Sequence, residues 1–150
     1  MNSAIPHYQI YSDGACDPNP GKGGWAAIIL QDEQEKILTG GNPETTNNRM
    51  ELEAAIQALA SLPQRSQVDL FTDSQYLHKG ITEWLEKWVR KGWRTTSGKV
   101  ANQDQWEKLL VLSKRHQVSW HWLKGHATDY QNNRADQFAR MASHEKSGPS

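Results

Sequence analysis

The chain has 150 residues, enough for one domain that buries roughly 68–70% of its unfolded surface without staples. Hydrophobic residues make up 36% and charged ones 23%, and 17 basic residues balance 17 acidic ones, which excludes a uniformly basic nucleic-acid coat. No apolar run approaches the roughly 18 residues of a membrane span, and the single cysteine, Cys16, excludes an internal disulfide or a thiolate zinc cluster. One folding unit is expected over residues 1–150, with flexible ends near 1–6 and 145–150. The start lacks a basic and apolar signal segment, so a reducing, cytoplasmic location is expected.

Residues 7–12 alternate and read as a strand, with Tyr8 and Ile10 on one face and Gln9 and Tyr11 on the other. Residues 17–24 form a Pro- and Gly-rich turn cluster. Strands at 25–31 and 36–41 complete a meander. Thr45 to Asn48 supply N-cap chemistry for a helix that runs to about Ser61 and stops at Pro63. Its apolar stripe is Leu52, Ala55, Ile56 and Leu59. Residues 67–72 read as a fourth strand, 74–91 as helix with a break at Gly80, and 103–116 as a further helix. Residues 117–123 alternate as a fifth strand, Trp120 and Trp122 on one side and His121 on the other. A helix over 132–143 closes the chain. The order βββαβααβα predicts an α/β fold, a five-stranded mixed sheet flanked by helices.

Four acids fall at notable places. Asp13 ends the first strand and Asp73 the fourth. If those strands are parallel neighbours, both carboxylates reach one crevice at the strands' carboxyl ends. Glu51 lies one turn into the first helix and Asp136 beside the stripe of the last. Taken singly, Glu51 and Asp136 also suit helix-dipole compensation. Taken together at ~4 Å and an effective dielectric of ~20, each like-charge pair costs about 4 kcal/mol. Only protons or bound cations stabilise such a group, and all-oxygen ligands select Mg²⁺ or Mn²⁺. Four carboxylates with two such ions would suit in-line phosphodiester displacement.

The motifs resemble those of bacterial type 1 ribonuclease H. Tyr11-Ser12-Asp13-Gly14-Ala15-Cys16, Thr45-Thr46-Asn47-Asn48-Arg49-Met50-Glu51-Leu52 and Thr72-Asp73-Ser74-Gln75-Tyr76 resemble the first three acid motifs. Lys124-Gly125-His126-Ala127 and Asn132-Asn133-Arg134-Ala135-Asp136 resemble the histidine loop and fourth acid. The matches run in order from about Tyr8 to Ala142. The resemblance implies a ribonuclease H-like fold and endonucleolytic hydrolysis of the RNA strand of RNA–DNA hybrids, leaving 5′-phosphate and 3′-hydroxyl ends. It implies Asp13, Glu51, Asp73 and Asp136 as ligands of two Mg²⁺ ions, bound with substrate, for which Mn²⁺ can substitute. His126 would assist proton transfer or product departure. It further implies a monomer; no protein partner is evident, and the hydropathy predicts no membrane contact.

By the same resemblance Cys16, Asn19, Asn47 and Gln75 contact the RNA strand, where the 2′-hydroxyl is the discriminating handle. Tyr76, Trp84 and Trp88 line a DNA channel, and Thr46 and Asn102 form a phosphate pocket. Burial, a turn and helix capping are the plain alternatives for Cys16, Asn19 and Asn47. A basic protrusion is expected over 81–99. Within 87–99 the charged residues Lys87, Arg90, Lys91, Arg94 and Lys99 are all basic, a stripe suited to phosphate. Trp25, Trp106, Trp120 and Trp122 are expected in the core. Glu44, Ala101 and Asn133 depart from residues that relatives carry, which bears on affinity and metal preference. Two rivals stand beside this reading, a DNA-cutting nuclease of the same fold and a non-catalytic hybrid-binding domain, while a third, a calcium-binding acidic module, lacks any Asp-rich loop of EF-hand spacing.

Overall fold

The computed structural model describes residues 5–124 and 129–145. Strands β1 (His7–Cys16), β2 (Gly21–Gln31) and β3 (Gln34–Thr45) form the antiparallel meander. Helix α1 (Asn47–Ala60) follows, and then β4 (Gln67–Thr72). β4 lies parallel to β1, and β7 (Gln117–Trp122) lies parallel to β4. The five-stranded sheet therefore has the order β3-β2-β1-β4-β7, the expected mixed α/β architecture.

Between β4 and β7 the chain forms α2 (Gln75–Lys79), a π-helical turn (Gly80–Trp84), α3 (Leu85–Arg90), a short hairpin of β5 (Arg94–Thr95) and β6 (Gly98–Lys99), and α4 (Gln103–Arg115). The last helix is α5 (Tyr130–Glu145). Thr46 caps α1, its hydroxyl accepting from Arg49 N–H at 3.1 Å. Ser74 caps α2 through Leu77 N–H at 3.0 Å. Each cap contributes about 1 kcal/mol.

Several boundaries differ from the sequence reading. β1 continues beyond Ser12 because its ladder with β2 extends from Gln9↔Leu30 to Cys16↔Gly23. Asp13 therefore sits inside a strand rather than at its end. Pairing with β1 at Gly23 and Gly24, and with β3 from Gly21↔Thr45, draws residues 21–24 out of the turn cluster into β2. The break at Gly80 is a π turn, after which the helix resumes.

α1 and α5 cover opposite faces of the sheet. Even-numbered β1 residues face α1, and a Cβ at Gly14 would lie 2.5 Å from Glu51 N. The next residue, Ala15, pairs with Gly24, which faces α5, and there a Cβ would lie 2.3 Å from Ala139 O. Side chains alternate across a strand, so the two helices take opposite sides. Neither backbone could settle so closely on a residue with a side chain.

Ile10, Leu52, Leu59, Val68, Leu70, Leu77, Trp106 and Leu109 fill the core and are fully buried. Burying one such aliphatic side chain is worth roughly 1.5–3 kcal/mol. Of the four tryptophans expected in the core only Trp106 is fully buried; Trp25, Trp120 and Trp122 are half-buried. On the α5 side, Tyr11, Phe71 and His121 stack across β1, β4 and β7 with centroids 4.7 Å apart. Asp69 ties the same three strands, bonding His7 Nε2 at 2.7 Å and His121 Nε2 at 2.9 Å.

Candidate active site and nucleic-acid interface

β1 and β4 pair from His7↔Gln67 to Tyr11↔Phe71. Carrying that offset two residues further sets Asp13 beside Asp73, just past the end of β4. The bare Cα of Gly14 lets the first turns of α1 rest on β1, which brings in Glu51. One carboxylate oxygen from each of Asp13, Glu51 and Asp73 lies within 4.8 Å of the other two. The three acids that the sequence scatters over 60 positions thus meet at one point.

Asp13 is 3% exposed and Glu51 5%. Burial first, then the charges of Glu51 and Asp73, push the Asp13 carboxyl up to about 11. Glu51 is raised mainly by burial and then by Asp73, while the Gly14 backbone and the Asn47 side chain pull the other way by hydrogen bonding. Glu51 Oε1 is buried with no hydrogen-bond partner among the described residues. No Lys or Arg pairs with these three acids among the described residues; Arg49, the nearest in sequence, bonds Asp104 instead. An all-carboxylate group with an orphaned oxygen and no protein counter-ion fits a hard divalent cation.

Asp136 stands apart from this tight group. It lies on α5, where Arg140 holds it at 3.1 Å, yet its charge still raises Asp13 and Glu51. It opens onto a cleft of about 420 Å³ that Gly14, Cys16, Asn47 and Arg140 also line. Two contacts to Asp73 escape the sequence reading. Trp122 Nε1 donates to the Asp73 carbonyl at 3.3 Å, and buried Asn132 reaches its carboxylate with Nδ2 at 3.5 Å. Asn132 lies four residues before Asp136, so both share a helix face; that spacing was the available signal. His126 lies outside the described residues.

The expected RNA contacts cluster at the same end. Asn19 Oδ1 accepts from Asn47 N–H at 3.0 Å, joining the Pro-rich turn to α1. The half-buried Cys16 thiol points to the carbonyls of Pro18, Gly21 and Thr45 at 3.3–3.6 Å, and burial raises its pKa. Exposed Gln75 begins α2 beside Asp73. For Asn19, Asn47 and Cys16 the structural duty is visible in these contacts.

In the protrusion Lys87, Arg90, Lys91, Arg94 and Lys99 are all exposed, and Trp84, Trp88 and Trp93 are half-buried between them. Trp88 centres a cluster, 5.9 Å from Trp84, 6.4 Å from Trp93 and 5.3 Å from buried Trp106. Tyr76 joins it, and its hydroxyl accepts from Trp106 Nε1 at 3.1 Å and from Asn102 Nδ2 at 2.9 Å. Residues expected to line a channel therefore also anchor the protrusion to the core. The aromatic spacing was legible in the sequence; the hairpin of β5 and β6, two residues a strand, is too short to show a pattern.

The sequence model of the RNase H family matches residues 6–144. The chain belongs to the ribonuclease H family. It is 56% identical over 140 residues to the ribonuclease H of Nitrobacter hamburgensis, covering 93% of each chain. It is 51% identical over 141 residues to that of Hahella chejuensis, covering 93% of this chain and 95% of the other. Among solved structures it resembles LC9-RNase H1, a type 1 RNase H with the type 2 active-site motif, at a TM-score of 0.87 and 29% identity over 97% of this chain and 75% of that one. It also shares the fold of LC11-RNase H1 in complex with RNA/DNA hybrid, at a TM-score of 0.70 and 19% identity over 94% and 99% of the two chains.

Glu44, Ala101 and Asn133, the three departures, are all exposed. No described helix is long and apolar enough to cross a membrane.

Proposed function

We propose that the protein is an endonuclease that hydrolyses the RNA strand of RNA–DNA hybrids. The observation that carries this reading is the meeting of buried Asp13 and Glu51 with half-buried Asp73 in one cluster that no Lys or Arg pairs with among the described residues. The basic, tryptophan-rich protrusion supports a nucleic-acid substrate, and the solved complex of LC11-RNase H1 with an RNA/DNA hybrid supports the hybrid class. Asp13, Glu51 and Asp73, with Asp136 on the open side, would hold two Mg²⁺ ions, which supply an activated water and charge stabilisation on the leaving oxygen. Mn²⁺ meets the same donor demands.

The chain's own residues then bind and orient. Asn132 and Trp122 fix Asp73, and the Gly14 backbone and Asn47 fix Glu51. Water attacks the phosphorus and the P–O3′ bond breaks, leaving 5′-phosphate and 3′-hydroxyl ends; His126 carries a proton on or off this path. Cys16, Asn19, Asn47 and Gln75 face the RNA strand in this reading. Tyr76, Trp84, Trp88, Arg90 and Lys91 meet the DNA strand, and Thr46 and Asn102 form a phosphate pocket. The enzyme acts as a monomer and, with its single cysteine, suits the reducing cytoplasm.

Four labelled 20-mers, hybrid, duplex DNA, duplex RNA and single-stranded RNA, incubated with Mg²⁺ or with a chelator, test the reading. Metal-dependent cutting confined to the RNA strand of the hybrid is expected. Asp73→Asn should lower turnover by at least about a hundredfold while hybrid binding survives. Cutting of plain duplex DNA would move the protein to the DNA-acting branch of the fold. Tight hybrid binding without cutting would make it a binder.

A further inference from the structure

Arg49 stands in the first turn of α1, two residues before Glu51, yet its guanidinium turns away from the acid cluster toward the start of α4. Nη1 donates to Asn102 Oδ1 at 3.0 Å and to Asp104 Oδ1 at 3.1 Å, and Nη2 donates to Asp104 Oδ2 at 2.8 Å. The pairing with Asp104 is bidentate, the arrangement a guanidinium also makes with two oxygens of a phosphate.

The surroundings hold this cation in place. Asn102 has left-handed backbone, φ 61°, a conformation Asn tolerates. Its amide bridges Arg49 and the Tyr76 hydroxyl. Thr46 accepts from the Arg49 backbone N–H, and Gln105 Nε2 donates to the Arg49 carbonyl at 2.9 Å. Of the residues read as DNA channel and phosphate pocket, Asn102 bonds this guanidinium, Tyr76 connects to it through Asn102, and Thr46 caps the backbone that carries it, yet the sequence reading left Arg49 out of the binding set. Glu44 and Ala101, close to Thr46 and Asn102 in sequence, bring no positive charge.

We propose that Arg49 is the phosphate-binding cation of this pocket and that Asp104 is its resident competitor, a carboxylate that takes the two guanidinium donors a DNA-strand phosphate would use. The inference rests on the hybrid-cleaving reading above. With side-chain exposures of 35% for Arg49 and 61% for Asp104, the pair is open to exchange. An incoming phosphate displaces Asp104 from Arg49, and the cost of that displacement sets the affinity of the pocket. Exposed ion pairs are weak, so removing the competitor tightens binding by about two- to fivefold.

The test is anisotropy of a labelled 20-mer hybrid, with chelator present to prevent cutting, at several salt concentrations. Asp104→Asn should bind about two- to fivefold tighter than wild type, with a salt slope steeper by up to about 0.9, one phosphate's share. Asp104→Glu, which keeps the charge, should stay near wild type. Arg49→Ala should bind more weakly, and adding Asp104→Asn to it should change nothing further. If wild type binds and Asp104→Asn is no tighter, Asp104 is only a strut between α1 and α4 and this inference alone falls. If wild type does not hold the hybrid, both the inference and the reading beneath it fall.

Discussion

Asp13 would ionise near pH 4 in an unfolded chain. In the fold, burial and the neighbouring carboxylates hold it up to about 11. The folded protein therefore binds this proton more tightly than the unfolded chain does. Stability from the group is complete below about pH 4 and is lost progressively as pH rises toward the folded value. At neutral pH and without metal, the cluster is a liability. Asp13→Asn should consequently raise the melting temperature of the metal-free protein at pH 7–8, by roughly 2–10 °C for a gain of about 1–3 kcal/mol. The gain should vanish near pH 3–4. Added Mg²⁺ or Mn²⁺ should reverse the order, since a ligand of the native state stabilises only the chain that can hold it. Calorimetry in chelator and in metal at both pH values checks all three outcomes; an unchanged melting temperature in chelator at pH 7–8 would show the cluster to be well solvated. Metal uptake should also release protons, and its apparent affinity should rise with pH.

At the scale of elements, the protrusion depends on one side chain. Trp106 is fully buried on α4, touches Trp88 and Tyr76, and donates to the Tyr76 hydroxyl. Trp106→Ala should cost about 3–5 kcal/mol in a urea melt. It should also raise KM more than it lowers kcat, because α2 and α3 lose their support while the acids lie on β1, α1 and the end of β4. A loss below 1 kcal/mol would mean that the segment docks by other means. Much of this was legible in the sequence. Alternation and stripes give the five sheet strands and the helices, and strand-end acids suggest a shared crevice. What is not legible depends on geometry between elements. The β1 ladder runs past Asp13 because β2 is long, which a single strand's pattern does not reveal. Asn132 reads as one more polar helix residue until α5 is seen lying beside Asp73. Trp122 looks like core from its alternation, but β7 is an edge strand, so its face is only half covered. Asp136 was grouped with the other acids, and only the structure shows it pairing with Arg140, outside the tight three.

Over the whole molecule the formal charge is zero, so attraction to a polyanion has to come from how the charges are distributed. Acids gather at the crevice and bases along 87–99. Arg90→Ala with Lys91→Ala should make log Kd less dependent on log salt, by about 1.8 for two lost phosphate contacts, and raise KM with little change in kcat. An unchanged slope would remove the protrusion from the binding surface. The same segment carries an optical consequence. Four of the seven tryptophans form one group of indoles, with Trp84, Trp93 and Trp106 each 5.3–6.4 Å from Trp88. At such spacing excitation hops between rings faster than any one of them emits. A quencher meeting Trp84 at the surface therefore darkens buried Trp106 as well, and the protein's native emission reports the occupancy of one face without any added dye.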